Sequence, residues 1–208
     1  MPPPLSSQGD LKHRRRLTAI PTAGASLAVA LTFGAVRPAS AFQFEGCPNS
    51  TLHHAKAADG RVHVRVKIAN APDYVAPTLL ALDSWQTFPR SPIHFDGADQ
   101  NWNYRIYEHD DGRKNYVGFT HYWCGPAGRF AFGHSRYNTY FTFAYPGVRR
   151  QYVMAHEIGH ALGLGHSQQG AGCPVPLMFP SEAAYVDCGV MVPQLDDIDG
   201  IYHLYGRA

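Results

Sequence analysis

His156-Glu157-Ile158-Gly159-His160-Ala161-Leu162-Gly163-Leu164-Gly165-His166 is the stretch from which the rest of the chain is read. Residues four apart on a helix lie one turn above the other on one face. His156 and His160 are therefore placed to grip one metal ion from the same side, with Glu157 beside the first and pointing toward the same site. Gly163 suits the left-handed turn that ends a helix. The chain then swings back and His166 supplies a third nitrogen. Three imidazoles leave a fourth position open, the way catalytic rather than structural zinc is held. An H-E-x-x-H segment alone also arises as a helix with two histidines on its polar face. In a chain with 12 His and 20 Gly, the full pattern arises by chance in roughly one such sequence in ten thousand, so the metal reading prevails.

The pattern resembles that of the metzincin metallopeptidases, and within them the matrixin branch, in which a serine follows the third histidine as Ser167 does here. Metzincins carry a Met-turn beneath the zinc, and Pro176-Leu177-Met178-Phe179-Pro180 looks like that turn. Leu195-Asp196-Asp197-Ile198-Asp199-Gly200-Ile201-Tyr202-His203-Leu204-Tyr205-Gly206 resembles the matrixin closing helix. The resemblance implies an α+β, metzincin or zincin-like fold: a twisted mixed β-sheet with a long active-site helix and a C-terminal helix. It implies His156, His160 and His166 as ligands of a catalytic Zn2+, and Met178 as an apolar floor rather than a ligand. It also implies that Phe179 to Val192 walls the pocket. The activity implied is that of a secreted, extracellular zinc-dependent endopeptidase. Peptide bonds would be hydrolysed by a zinc-bound water, with Glu157 as general base. The strand at 129–134 is expected to take an extended peptide by main-chain hydrogen bonding.

Residues 1–41 read as a signal peptide. Lys12 to Arg16 is basic, Leu17 to Val36 is apolar, and Ala39-Ser40-Ala41 is an A-x-A cleavage site. The adjacent arginines before Leu17, with an apolar region diluted by Thr, Ser and Gly, suit a twin-arginine signal. An uncleaved anchor is the alternative; Pro21, Gly24 and the cleavage site weigh against it. The segment holds five Lys/Arg and one Asp, so residues 42–208 carry 13 basic and 15 acidic residues. That leaves no basic face for nucleic acid. After signal cleavage no stable membrane insertion is expected, and the product reads as a monomeric single domain, 42–208, acting on a protein or peptide substrate.

All four cysteines, Cys47, Cys124, Cys173 and Cys188, follow the cleavage site, and an even count in an exported chain argues for two disulfides. Three pairings are possible. The favoured one joins Cys173 to Cys188 around the Met-turn-like segment and leaves Cys47 with Cys124. Many matrixins are kept latent by a pro-segment cysteine; Cys47 is the residue that would play that part, and a disulfide is the preferred reading. Cleavage after Ala41 makes Phe42 the N-terminus. In matrixins such an end folds back on an aspartate of the closing helix, here Asp196 before Asp197. The preferred reading is that both aspartates sit near the start of the helix and serve its dipole.

Between signal and active-site helix the pattern alternates. Arg61 to Ile68 reads as a half-buried strand. Pro77 to Phe88 reads as a helix with Leu79, Leu82 and Trp85 inward, ended by Pro89. Ile93-His94-Phe95, Tyr104 to Tyr107, Val117 to Thr120 and Arg129 to Gly133 read as further strands, with a turn at Asp110-Asp111-Gly112. His109, Asp111, His121 and His134 resemble the structural zinc ligands of many matrixins, but the family's calcium loop is missing after Asp111, and scattered histidines are the preferred reading. Asp96 and Asp99 offer Ca2+ ligands or a polar turn, and the turn is preferred. A zinc-binding pseudoenzyme and a hydrolase of non-peptide amides are the two other classes. Glu157 speaks against the first and the matrixin-like tail against the second.

Overall fold

The computed structural model describes residues 42–45, 47, 54–126, 128–168 and 172–208. The expected export signal, 1–41, lies outside them. In chain order they form β1 (Gln43–Phe44), β2 (Val62–Ile68), α1 (Pro72–Gln86), β3 (Ile93–Gly97), β4 (Tyr104–His109), β5 (Gly118–Cys124) and β6 (Phe130–Asn138). Then follow α2 (Thr139–Thr142), α3 (Gly147–Ala161), β7 (Leu164–Gly165), α4 (Ala183–Val186) and α5 (Leu195–Tyr205). Five strands make one mixed sheet in the order β3-β2-β4-β6-β5, all parallel except β5, which runs antiparallel to β6. β1 pairs separately with β7.

Period-two alternation explains the sheet's two faces. Val62, Val64 and Val66 are buried, while His63 and Arg65 lie on the opposite face. α1 and α3 pack together over the buried face, and Tyr104, Ile106, Tyr137, Trp85, Met154 and Ile158 share one core. Trp85 reaches across to α3, its indole N–H donating to Ala155 O at 2.8 Å. Among the described residues no helix is long and apolar enough to cross a membrane.

α1 departs from the sequence reading in start and in phase. It begins at Pro72, not Pro77, and Pro77 stands inside it. A proline there removes the N–H that would bond to the carbonyl of residue 73. The Arg150 guanidinium from α3 takes its place, donating from Nη1 to Asp73 O at 3.1 Å. Arg150 also bonds Thr142 O and Phe143 O at the end of α2 and lies 4.2 Å over the Tyr74 ring. One buried cation thus serves three carbonyls and lets the helix run through its proline. The inward stripe is Tyr74, Pro77, Thr78, Ala81, Leu82 and Trp85; Leu79, expected inward, is 51% exposed. Thr78 holds the buried seat beside it because Tyr137 OH lies there at 3.0 Å and needs a hydroxyl partner.

Both expected disulfides form. Cys47–Cys124 ties the N-terminal segment to the end of β5, so Cys47 has no free thiol for a cap. Cys173–Cys188 closes the loop around the Met-turn. The closing helix holds that turn with one carboxylate. Asp197, 1% exposed, accepts the backbone N–H of Leu177 at 2.7 Å, of Met178 at 3.0 Å and of Gln194 at 2.8 Å. The last contact is half of a capping box at the start of α5. Phe42 lies against α5 one turn on, with its ring 5.8 Å from His203 and its side chain filling the space over Gly200.

Two substitutions test this frame. Arg150→Met keeps the apolar stem and strands three carbonyls, and a loss of about 2–4 kcal/mol is expected in urea unfolding. Stability within about 0.5 kcal/mol of wild type would mean that Arg150 is not what carries Pro77. Asp197→Asn turns an N–H donor toward backbone donors, for an expected loss of about 1–3 kcal/mol. An unchanged unfolding midpoint would contradict the part given to that carboxylate.

Candidate metal centre and active-site cleft

The helical spacing does in the fold what the sequence implies. On α3 the Nε2 atoms of His156 and His160 stand 3.2 Å apart. His166, beyond the turn at Gly163 (φ 97°), brings its ring to 5.2 Å from that of His156 and 4.8 Å from that of His160. One ligand atom from each of the three lies within 4.8 Å of the others. The protons can be placed. His156 Nδ1 faces Leu177 O at 2.8 Å and His160 Nδ1 faces Leu164 O at 2.9 Å. A carbonyl oxygen only accepts, so each Nδ1 carries the hydrogen and each Nε2 presents a lone pair. Two lone pairs facing across 3.2 Å repel unless a cation lies between them. Two imidazoles anchored on backbone carbonyls, with the His166 ring beside them, fit a zinc ion, and the anchoring carbonyls are the outer partners such ligands require. Burial, with the neighbouring His160 ring, holds His156 well below its ordinary pKa and hence neutral.

Glu157 is buried next to this point. Its carboxylate is raised above its ordinary pKa by burial, against the pull of His160 and Thr120. Thr120 Oγ1 lies 2.6 Å from Glu157 Oε2, and behind it stand Ser135 Oγ at 2.6 Å and then Tyr104 OH at 2.5 Å from Ser135. This buried hydroxyl chain ends on the carboxylate. Gly118 is required alongside, since a Cβ there would stand 2.7 Å from Glu157 Oε1. Beneath the histidines Met178 is 2% exposed, and a Cβ at Gly159 would overlap its sulfur. The glycine inside the motif is thus the seat for the Met-turn.

A cleft of about 620 Å³ opens over these groups. One wall is Tyr116 to Thr120, the start of β5; the other includes Tyr152 and Phe179 to Glu182. Of the expected wall, Phe179 to Val192, only the first four residues line the cleft. Tyr152 OH donates to Ser181 O at 3.0 Å, and Arg149 pairs with Glu182 at 2.9 and 3.0 Å, so α3 itself holds that wall. The strand at 129–134 is not where a peptide would pair. From Gly133 onward β6 is flanked by β4 and β5, and none of 129–134 lines the cleft. The edge strand is β5. Because Asn138 N bonds Val117 O, the antiparallel alternation turns the main-chain N–H and C=O of Gly118, Thr120 and Tyr122 outward.

His109, Asp111, His121 and His134 do not come together as a ligand set among the described residues. Asp111 is taken by Arg136, which donates from Nε at 2.8 Å and from Nη2 at 3.0 Å. His109 stands 4.0 Å from Asp111 and is largely exposed. Arg136 Nη1 also faces His134 Nε2 at 3.4 Å. The Arg136 guanidinium therefore neutralises Asp111 itself. Asp96 and Asp99 form no oxygen cage either, since Asp96 is engaged with His63 and His94. Sequence reasoning missed Thr120 and Glu45. Glu45 reaches 3.3 Å from His160 Nδ1 because β1 pairs with β7 beside the metal centre, a contact with no local sequence signal.

The matrixin family model matches residues 76–206. Over 63 residues the chain is 44% identical to matrix metalloproteinase-19 of Mus musculus, covering 30% of this chain and 11% of that protein. Over 54 residues it is 48% identical to neutrophil collagenase of Homo sapiens, covering 26% and 10%. The matched stretches span about a tenth of the length of these relatives. Among solved structures, high choriolytic enzyme 1, a hatching enzyme zinc-protease from Oryzias latipes, aligns over 80% of this chain and 100% of its own. The TM-score is 0.49 at 15% identity. The family model spans well over half of the sequence, from α1 through α5, and on that match the chain belongs to the matrixin family.

Proposed function

We propose that this chain is an exported zinc endopeptidase that hydrolyses protein or peptide substrates with Glu157 as general base. The observation that carries the reading is the pair of imidazole lone pairs turned on one point, beside a buried carboxylate on the floor of an open cleft. His156, His160 and His166 are assigned as the zinc ligands. Held by these three rings, zinc would supply Lewis-acid polarisation of a scissile carbonyl and a lowered water pKa.

The chain's own residues do the rest. The outward main-chain groups of Gly118, Thr120 and Tyr122 pair with an extended peptide, aligning it along β5 across the cleft. Glu157 takes a proton from the attacking water and returns it to the leaving amine. Thr120, donating to Oε2, fixes the carboxylate and favours its ionised form. Tyr152 and Phe179 to Glu182 shape the space for a substrate side chain. Residues 1–41 are assigned as the export signal, and the two disulfides suit an oxidising compartment.

A casein zymogram should show a clearing band that a chelator abolishes and added zinc restores. Glu157→Gln should retain zinc and lose ~10²–10⁴-fold in turnover. His160→Ala should lose the catalytic ion, measured after dialysis as one zinc per chain fewer than wild type. Wild-type turnover in the first variant, or full zinc in the second, would overturn the assigned roles.

Thr120→Val tests the hydroxyl contact through pH. Its loss removes a hydrogen bond to the charged form, so the Glu157 pKa rises further. The base must be ionised to work, so the acid limb of the kcat/KM profile should move to higher pH while alkaline rates stay close to wild type. Thr120→Ser should restore the limb. A limb that does not move would remove Thr120 from the mechanism.

A further inference from the structure

On the outer face of the sheet, far from the strand edge that borders the cleft, β2 and β3 run parallel with His63 opposite His94 and Arg65 opposite Asp96. Residues two apart on a strand share a face, so His94 and Asp96 point the same way, and His63 joins them across the ladder. The Asp96 carboxylate is straddled by the two rings. Its Oδ2 lies 2.9 Å from His63 Nδ1 and its Oδ1 lies 3.3 Å from His94 Nε2. The two rings stand 5.0 Å apart, edge to face. One donor atom from each of the three residues lies within 4.8 Å of the others.

The other ring nitrogen of His63 supplies a second, independent observation. Nε2 faces Asp59 Oδ2 at 2.9 Å, while the other Asp59 oxygen accepts the Arg61 N–H at 3.0 Å and so is fixed in place. Both nitrogens of one imidazole therefore face carboxylate oxygens. Without metal an imidazolium donates to both, and the hydrogen bonds from Asp59 and then Asp96 hold the His63 pKa above its ordinary value. With a metal ion at Nδ1, that ion takes the place of the Nδ1 proton toward Asp96. Asp59 then acts as the carboxylate that receives the far N–H of a metal-bound histidine, which fixes the tautomer and raises the basicity of the ligand.

We infer that His63, His94 and Asp96 form a second divalent-metal site, of the zinc class, on the outer face of β2 and β3, with Asp59 orienting His63. Two imidazoles and one carboxylate suit a borderline transition ion rather than calcium, which takes an all-oxygen shell. The side chains are 35–39% exposed, so the ion enters directly from solvent and keeps water in its remaining positions. β3 is the terminal strand of the sheet, at the opposite end from β5. A bound ion would clamp that strand to β2 and stabilise the folded state by mass action.

The test is metal stoichiometry on the purified exported form, dialysed against zinc-buffered solution and measured by inductively coupled plasma mass spectrometry. The wild type should hold two zinc ions per chain. His63→Ala with His94→Ala should hold one and cleave casein at the wild-type rate, and Asp96→Asn alone should behave the same way. Excess buffered zinc should raise the melting temperature of the wild type, and should raise that of the variants less. His160→Ala should also hold one ion but cleave nothing, which separates failure of this site from failure of the proposed catalytic one. One ion per chain in the wild type, or two in the His63/His94 double variant, would overturn the inference.

Discussion

The proposed metal centre depends on one buried carboxylate that touches neither a proposed ligand nor the cleft. Asp197 gathers the N–H groups of Leu177, Met178 and Gln194, and so fixes the Met-turn to the start of the closing helix. The turn, once fixed, presents Leu177 O to His156 and Met178 O to the N–H of Ser167, the residue after His166. Two of the three histidines are therefore positioned through one turn, and that turn is held by one side chain. Met178, pressed on Gly159, completes the contact from below. An acid with three backbone donors is well satisfied, and the interior position confines it to a single arrangement.

Arginine does comparable work elsewhere in the fold. Arg150 supplies the donor that Pro77 lacks and ends α2 at the same time. Arg136 forms a bidentate pair with Asp111, where the resembled family would hold a structural ion. A planar, permanently charged fork can serve several acceptors at once. In the first place the fork satisfies backbone carbonyls, and in the second it neutralises a carboxylate.

The cleft owes its form to which strand ends the sheet. β5, the single antiparallel member, leaves alternate main-chain groups free on the side that borders the metal centre, and its Thr120 and Gly118 meet Glu157 from the same wall. In the proposed mechanism, peptide alignment and orientation of the base thus come from one element. The opposite wall is held by Tyr152 and Arg149 of the same helix that carries His156 and His160, so both sides of the cleft are referred to α3.

The active-site segment and the strand alternation were legible in the sequence. The four-residue spacing of His156 and His160, the glycine turn before His166, the alternation of Val62, Val64 and Val66, and the favoured pairing of the cysteines all appear in the fold. Helical and strand periods are fixed by backbone geometry, so residue spacing alone reports which side chains share a face. Tertiary structure decided what depends on partners distant in sequence. Leu79 faces out because Tyr137 made a hydroxyl, not a leucine, the right neighbour at the adjoining seat. α1 begins five residues early because Arg150 reaches Asp73 O from another helix. β5 rather than β6 borders the cleft because strand order is set by the packing of the whole sheet, and no segment carries that order in its own pattern.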